Sequence, residues 1–260
     1  MNFVIVTQKD LFFTPEFFRV FLASDYPGTC RGVVVQSTLG NRSTAAFLKR
    51  MHAFYGTKDF LLQGLRHLKL TLQARLYDTG LTSRPVSIEN WCRRHGVPVL
   101  DFQSVNSPGF KNWLKEHTID LVVSIAASEK FDEELLELPP MGCINFHNAP
   151  LPRYRGMLPN FWQMYHGEEV STLTVHEMTP ELDRGAVLYR QETPIRPEYS
   201  FYDLAEVTKR RSAEALAEIL KRYRENRMEK KPMPEGEGSY FTFPGREDVK
   251  AFKQKGNRLI

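Results

Sequence analysis

Short apolar runs alternate with amphipathic stretches through the first half of the chain. Phe3 to Val6 reads as a buried strand, and Thr14-Pro15-Glu16 supplies an N-cap and first-turn Pro for a short helix through Phe17, Val20, Phe21 and Leu22. Gly32 to Gln36 reads as a second strand. Ser87 precedes a helix carrying Ile88, Trp91 and Cys92 that stops at Gly96, and Val97 to Leu100 reads as another buried strand. Ser107-Pro108 repeats the cap-and-Pro start ahead of Phe110, Trp113 and Leu114. Leu121-Val122-Val123-Ser124-Ile125-Ala126 has the continuous apolar character of a central strand. This alternation predicts an α/β fold, doubly wound around a mostly parallel sheet.

Residues 41–76 do not fit a minimal strand-helix-strand unit. Phe47, Leu48, Met51 and Phe54, then Phe60, Leu61, Leu65, Leu68 and Leu72, are spaced for one or two helices, and the segment is expected to be a helical hairpin packed over the sheet. Its charges are mostly basic (Arg42, Lys49, Arg50, Lys58, Arg66, Lys69, Arg75 against Asp59), which suits a solvated face, a partner or a membrane surface. Asp203 to Arg227 reads as a long amphipathic helix. The Pro/Gly-rich segment 231–238 then reads as a linker, Tyr240 to Phe243 as a strand and Glu247 to Lys255 as a short helix. The expected organisation is a main domain over 1–200, with the insertion inside it, and a short extension over 201–260.

Composition narrows the classes. With 260 residues and 42% hydrophobic positions the chain has material for a sizeable core, and no run of about 18 apolar residues suggests a membrane span. The N-terminal run lacks the basic leader of a signal peptide, so a cytoplasmic location is expected. Cys30, Cys92 and Cys143 show no paired spacing, which fits reduced thiols and offers no zinc site. The net charge of +4 is unevenly placed: from Thr208 onward there are 14 Lys/Arg against 8 Asp/Glu, and before it 21 against 23. A solvated helix face accounts for the excess, with an anionic substrate or partner as the sharper alternative.

The chemistry concentrates between Gly142 and Gln191. Along the strand-like Cys143-Ile144-Asn145-Phe146-His147, side chains alternate, so Asn145 and His147 share a face. An amide there can donate to an oxygen that becomes negative, and an imidazole can move a proton near neutral pH. Taken alone, the pair is also compatible with ordinary structural hydrogen bonding.

The motifs that follow resemble the catalytic core of the folate-dependent formyltransferases, the family that includes enzymes acting on methionyl-tRNA, on glycinamide ribonucleotide and on nucleotide-linked sugars. Asn145-Phe146-His147 matches its N-x-H strand, and Pro150-Leu151-Pro152-Arg153-Tyr154-Arg155-Gly156 matches its "LLPxYRG"-like loop. Asn160-Phe161-Trp162, Thr174-Val175-His176 and Leu182-Asp183-Arg184-Gly185 follow in order, with 36 positions between His147 and Asp183. The likeness is good over roughly 80–195 and loose over the first strands. Two departures, Thr172 for a Gly and Asn148-Ala149 for a Pro-Ser pair, fall on the acceptor side.

The resemblance implies a Rossmann-like fold and transfer of a formyl group from 10-formyltetrahydrofolate to an amine, without a metal. Asn145, His147 and Asp183 become the catalytic trio: Asn145 stabilises the oxyanion, a donor typically worth about 2.7–4 kcal/mol, His147 moves the proton, and Asp183 holds His147 or a bridging water. Ser128, Glu129, Phe131, Thr179 and Leu182 become folate-side residues, and Arg153, Tyr154, Arg155, Gly156 and His176 acceptor-side residues. No G-x-G-x-x-G follows the first strand, so a dinucleotide fingerprint is absent.

The 69 residues after Gln191 leave no room for the C-terminal barrel with which methionyl-tRNA formyltransferases grip tRNA, so nucleic acid is not the expected partner. A small amine acceptor, best a nucleotide-linked amino sugar, is expected; a methionyl-tRNA formyltransferase-like enzyme acting on another amine is the alternative. A non-catalytic folate- or nucleotide-binding module docked through 41–76 is the reading from another class, and the intact trio argues against it. Tyr240 to Phe243 is also suited to pairing across a homodimer.

Overall fold

The computed structural model describes residues 1–37 and 43–260, so Asn41 and Arg42 of the expected insertion lie outside the described residues. In chain order the elements are β1 (Asn2–Gln8), α1 (Thr14–Phe21), β2 (Thr29–Gln36), α2 (Thr44–Asp78), α3 (Ile88–Arg94), β3 (Val99–Leu100), α4 (Pro108–Glu116) and β4 (Leu121–Ile125). They continue with α5 (Glu133–Glu137), β5 (Cys143–His147), β6 (Arg155–Gly156), α6 (Pro159–His166), β7 (Val170–Glu177), β8 (Val187–Pro194), α7 (Phe201–Arg224), β9 (Tyr240–Phe241) and α8 (Arg246–Gln254).

A seven-stranded sheet runs in the order β3-β2-β1-β4-β5-β7-β8. Pairing is parallel from β3 through β5 and antiparallel for β5-β7 and β7-β8. Because strand side chains alternate, Phe3 and Ile5 of β1 meet Phe17, Phe18 and Phe21 of α1 and Leu216, Ile219 and Leu220 of α7 on one face. Val4 and Val6 meet Phe110 and Leu114 of α4 and Leu135 of α5 on the other. The α/β, doubly wound architecture expected from the alternation is therefore present. A third cluster around Phe54, Phe161, Phe201 and Phe252 ties α2, α6, α7 and α8 together. Among the described residues, no helix is long and apolar enough to cross a membrane.

Several local expectations change. Thr14 does not cap α1: the N-cap is Phe13, with no side-chain bond. Asp10 takes that role from outside the helix, its carboxylate accepting from the amides of Phe12 (2.8 Å), Phe13 (3.1 Å) and Thr14 (2.7 Å) and from the Thr14 hydroxyl (2.9 Å). A carboxylate there satisfies orphan first-turn donors and complements the helix dipole. The strand expected over Val97 to Leu100 shrinks to Val99–Leu100 and is not buried, since it lies at the sheet edge with Val99 exposed.

The insertion is helical, broken at Gly56 (φ 75°), but its leucines do not pack over the sheet: only Phe54 and Gln63 of α2 are buried. One face of a helix can be covered by a single neighbouring surface, and here that face carries Gln63, bonded by Tyr202 Oη (3.1 Å), and Ala74, whose carbonyl accepts from Asn90 (3.4 Å). Part of the basic excess after Thr208 is paired with acids from earlier in the chain, as in Arg210 with Glu16 and Lys230 with Glu177.

Replacing Asp10 with Ala is expected to lower stability by about 1–2 kcal/mol, the scale of a lost helix cap. A shift in the urea midpoint without a change in slope checks this; an unchanged midpoint would show that the amides lose nothing when the carboxylate is removed.

Candidate active site

Register places polar groups side by side at the C-terminal ends of β4 and β5. Ser124 of β4 pairs with Asn145 of β5, and Asn145 with His176 of β7. Directly opposed residues share a face, so the three side chains form one row in a sheet that is otherwise apolar there. Ser124 Oγ donates to Asn145 Oδ1 at 2.9 Å. With its oxygen occupied, the amide turns its nitrogen the other way, and Asn145 Nδ2 lies 3.4 Å from His176 Nε2. His176 Nδ1 donates to the Glu177 carbonyl at 2.7 Å, and its Nε2 also stands 3.4 Å from Asp183 Oδ1.

His147 ends β5 two residues further on and is buried. Its Nε2 lies 2.9 Å from the Tyr154 carbonyl. That oxygen can only accept, so Nε2 carries the hydrogen and the lone pair of the neutral ring is at Nδ1. Burial pushes the His147 pKa below its ordinary value of 6.5, against the Asp183 charge and the Tyr154 bond, which favour the protonated ring. Asp183 reaches the site from a left-handed turn (φ 55°). Burial pushes its carboxyl up, but the His176 bond, the two imidazoles and the Gly156 amide outweigh this and hold it below 3.8. Gly185, two residues on, crosses so close to β7 that a Cβ would lie 2.0 Å from the Glu177 carbonyl oxygen.

The loop that supplies the Tyr154 carbonyl is braced on several sides. Thr174 Oγ1 donates to the Ala149 carbonyl and Gln163 Nε2 to the Asn148 carbonyl, both at 2.7 Å. The Tyr154 amide donates to Ser239 Oγ (2.8 Å), the Arg155 amide to the Ser239 carbonyl (2.9 Å) and the Met157 amide to the Phe241 carbonyl (2.9 Å). These last bonds form a small parallel sheet of β6 and β9, so the strand suited to a dimer edge pairs within the chain. Gly156 (φ 97°) permits the approach, since a Cβ there would lie 2.2 Å from the Phe241 oxygen.

A family model described as formyl transferase matches residues 83–220, which contain every residue of this row and loop. The chain belongs to the formyl transferase family. This formyl transferase is 32% identical over 206 residues to a methionyl-tRNA formyltransferase of Syntrophus aciditrophicus, covering 75% of its own length and 65% of that relative's. It thus spans slightly less than two thirds of that relative. Among solved structures it shares the fold of glycinamide ribonucleotide transformylase 1 from Symbiobacterium toebii (TM-score 0.59, 16% identity, 90% of this chain and 94% of that one). It also shares that of an N-formyltransferase from Helicobacter canadensis in complex with folinic acid and dTDP-3-aminofucose (TM-score 0.54, 15% identity, 95% and 72%).

The other residues singled out from the formyl transferase sequence are placed unevenly. Asn145, His147, His176, Asp183 and the Gly156 amide converge. Tyr154 enters through its carbonyl alone; its ring stacks on Phe241 and its hydroxyl donates to Glu168 (2.7 Å). Arg153 turns outward to Glu168 (3.0 Å). Arg155 Nε is buried with no hydrogen-bond partner among the described residues. On the other side, Ser128 donates through its amide (3.0 Å) and hydroxyl (3.2 Å) to Gln36 Oε1. Glu129 accepts from Gln36, from Ser104 Oγ (2.9 Å) and from the Val105 amide (2.6 Å). Both side chains therefore brace their own loop. Phe131 lies in the core, Thr179 donates to the Glu181 carbonyl (2.8 Å), and Leu182 is exposed. Among the described residues, no group of three or more His, Cys, Asp or Glu is placed to hold a metal ion.

Sequence reasoning missed Ser124 and Ser239. Ser124 left a signal, a hydroxyl inside the apolar run Leu121 to Ile125, whereas Ser239 sits beside a Pro/Gly-rich linker and left none.

Because the folded-state pKa of His147 is depressed, its contribution to stability is present above the unfolded value near 6.5 and is lost as pH falls through the folded one. Between pH 7.5 and 5, the formyl transferase is expected to lose more unfolding free energy than its His147→Gln variant. Parallel losses in urea titrations would contradict the burial argument. Gly185→Ala is expected to destabilise by about 1–3 kcal/mol and to displace Asp183, seen as a lowered melting temperature.

Proposed function

We propose that this formyl transferase moves a formyl group from 10-formyltetrahydrofolate to the amine of a small acceptor, a nucleotide-linked amino sugar. The observation that carries the reaction class is the Ser124-Asn145-His176 row with His147 and Asp183 beside it. The folate donor supplies an electrophilic formyl carbon, and the donor set suits it: an amide whose nitrogen is already aimed, a base whose lone pair is at a defined atom, and one buried carboxylate.

Asn145 Nδ2 donates to the carbonyl oxygen as negative charge develops on it, and Ser124 keeps the amide from rotating away. His147 Nδ1 takes the proton lost by the attacking amine and returns it to the leaving nitrogen, while its Nε2–H stays on the Tyr154 carbonyl. Asp183 stabilises the ring while it is charged and, through the Gly156 amide, ties the loop to the site. The depressed pKa keeps His147 neutral, and so able to accept, at pH 7. On the donor side the backbone of the loop braced by Ser128 and Glu129, with the segment from Thr179 to Leu182, would hold the pterin.

The acceptor class is supported by layout. α7, β9 and α8 fold back onto the loop that carries Tyr154, and the N-formyltransferase from Helicobacter canadensis in complex with folinic acid and dTDP-3-aminofucose shares this fold across 95% of the chain. A second reading, formylation of an aminoacyl-tRNA, is favoured by the name of the sequence relative from Syntrophus aciditrophicus.

Release of tetrahydrofolate, measured with a panel of nucleotide-linked amino sugars and with charged initiator tRNA, separates the two. Turnover is expected with a sugar; turnover with tRNA alone would replace the acceptor. His147→Ala should lower turnover by about 10²–10⁴-fold and Asn145→Ala by about 10²–10³-fold, with folate affinity little changed. Full activity in both variants would remove the assignment. The rate should be flat at pH 7 and fall on the acid side below 6.5, and Asp183→Asn should move that limb lower still, because it removes the charge that raises the His147 pKa.

A further inference from the structure

The part of α2 that follows Gly56 carries a face that no other described part of the chain covers. Leu61, Leu65, Leu68 and Leu72 recur at steps of four, three and four, with Leu62 beside them, and all five are at least 50% exposed. At about 100° per residue they cluster opposite Gln63, Leu70 and Ala74, the positions that face the body, and the stripe runs for about 17 Å. Singly exposed leucines are ordinary; a contiguous row along one helix marks an interaction surface.

The charges around the stripe identify its partner. Lys58 and Lys69 lie between the line from Leu61 to Leu72 and Leu62, and Arg75 flanks the line on its other side, each roughly 50–70° from its centre, and none of the three forms an ion pair among the described residues. The two carboxylates of this helix point elsewhere: Asp59 lies 3.3 Å from Lys253, and Asp78 accepts from Asn90 (2.9 Å) and Arg93. Arg66 is drawn aside over the rings of Phe12 and Tyr202. The outward face is thus leucine bordered on both sides by cations, with no anion from its own helix. A second copy docked by two-fold symmetry would set these cations against one another, which is destabilising.

We propose that this face docks the protein peripherally on a bilayer that carries anionic lipids. The helix lies in the interface plane, the leucines enter the boundary between headgroups and acyl chains, and Lys58, Lys69 and Arg75 extend to the lipid phosphates. The association is peripheral, since no described helix is long and apolar enough to cross. It is independent of the reaction proposed above.

Flotation of the purified full chain with vesicles of phosphatidylcholine alone, or of phosphatidylcholine with an equal part of phosphatidylglycerol, tests it. The protein is expected to float with the anionic vesicles and not with the neutral ones, and its partitioning should fall several-fold between about 50 and 500 mM salt. Leu65→Ser with Leu68→Ser, and separately Lys58→Glu with Lys69→Glu, should each weaken partitioning at least about tenfold. Their melting temperatures should stay at the wild-type value, which separates lost docking from lost folding. The proposal is overturned if the wild-type chain stays unbound to both vesicles, or if the leucine variant floats as well as wild type. It is equally overturned by a dimeric mass in light scattering that reverts to monomer in the leucine variant, which would make a second copy the occupant.

Discussion

Strand register is the constraint on which the rest of this molecule depends. Ser124, Asn145 and His176 come from strands separated by up to 52 positions of sequence, and only the pairing of β4 with β5 and of β5 with β7 sets them in line. A slip of one residue would turn each side chain to the opposite face and put Ile144 or Phe146 where Asn145 stands. Both of those residues are buried against α1 and α7, as are Leu173 and Val175 of β7. The apolar residues between the polar ones therefore hold the register, and the polar row follows from it.

Orientation within the row comes from neighbours that do no chemistry. The Ser124 hydroxyl decides which end of the Asn145 amide faces inward, and a backbone carbonyl decides which nitrogen of His147 carries the hydrogen. That carbonyl belongs to Tyr154, whose amide and ring are held by Ser239 and Phe241, more than 80 positions later in the chain. Burial and the Asp183 charge act on His147 in opposite directions, and burial prevails, which favours the neutral ring. The left-handed turn at Asp183 and the absence of a side chain at Gly185 bring the opposing charge within range.

How far these features could be read from sequence depends on how local their causes are. The alternation of β1, α1, β2, α3, α4 and β4, and the helix starts at Ser87 and Ser107, follow from residues a few positions apart and were legible. Asn145, His147 and Asp183 were legible through motif order, although the contact that Asp183 makes at 3.4 Å is with His176. What escaped depends on tertiary partners. Ser239 acts across the fold, and Glu129 is consumed by Gln36, Ser104 and Val105; the Asp10 cap is local, but it stands outside the N-cap position that the Thr14-Pro15 pair suggests. The spacing of Leu61, Leu65, Leu68 and Leu72 correctly reports a helix with one apolar face. It carries no information on what that face meets, and hydrophobic period alone made it look like core.

The part of α2 that precedes Gly56 packs toward the loop beside the candidate site. Phe54 packs against Phe161, Phe201 and Phe243, with ring centroids 5.8, 6.1 and 5.3 Å away. Phe243 lies two residues beyond β9, Trp162 stacks on Phe241 and donates to the Thr242 carbonyl at 3.0 Å, and β9 holds the loop that presents the Tyr154 carbonyl. Close-packed aromatic clusters transmit displacement with little compliance. The part of α2 before the Gly56 break is thus linked through packed rings and β9 to the loop whose Tyr154 carbonyl meets His147 Nε2. Tyr202 spans the break at Gly56, its hydroxyl bonding the Tyr55 hydroxyl at 2.7 Å and donating to Gln63 Oε1 at 3.1 Å, so the two parts of α2 meet the same body through one side chain.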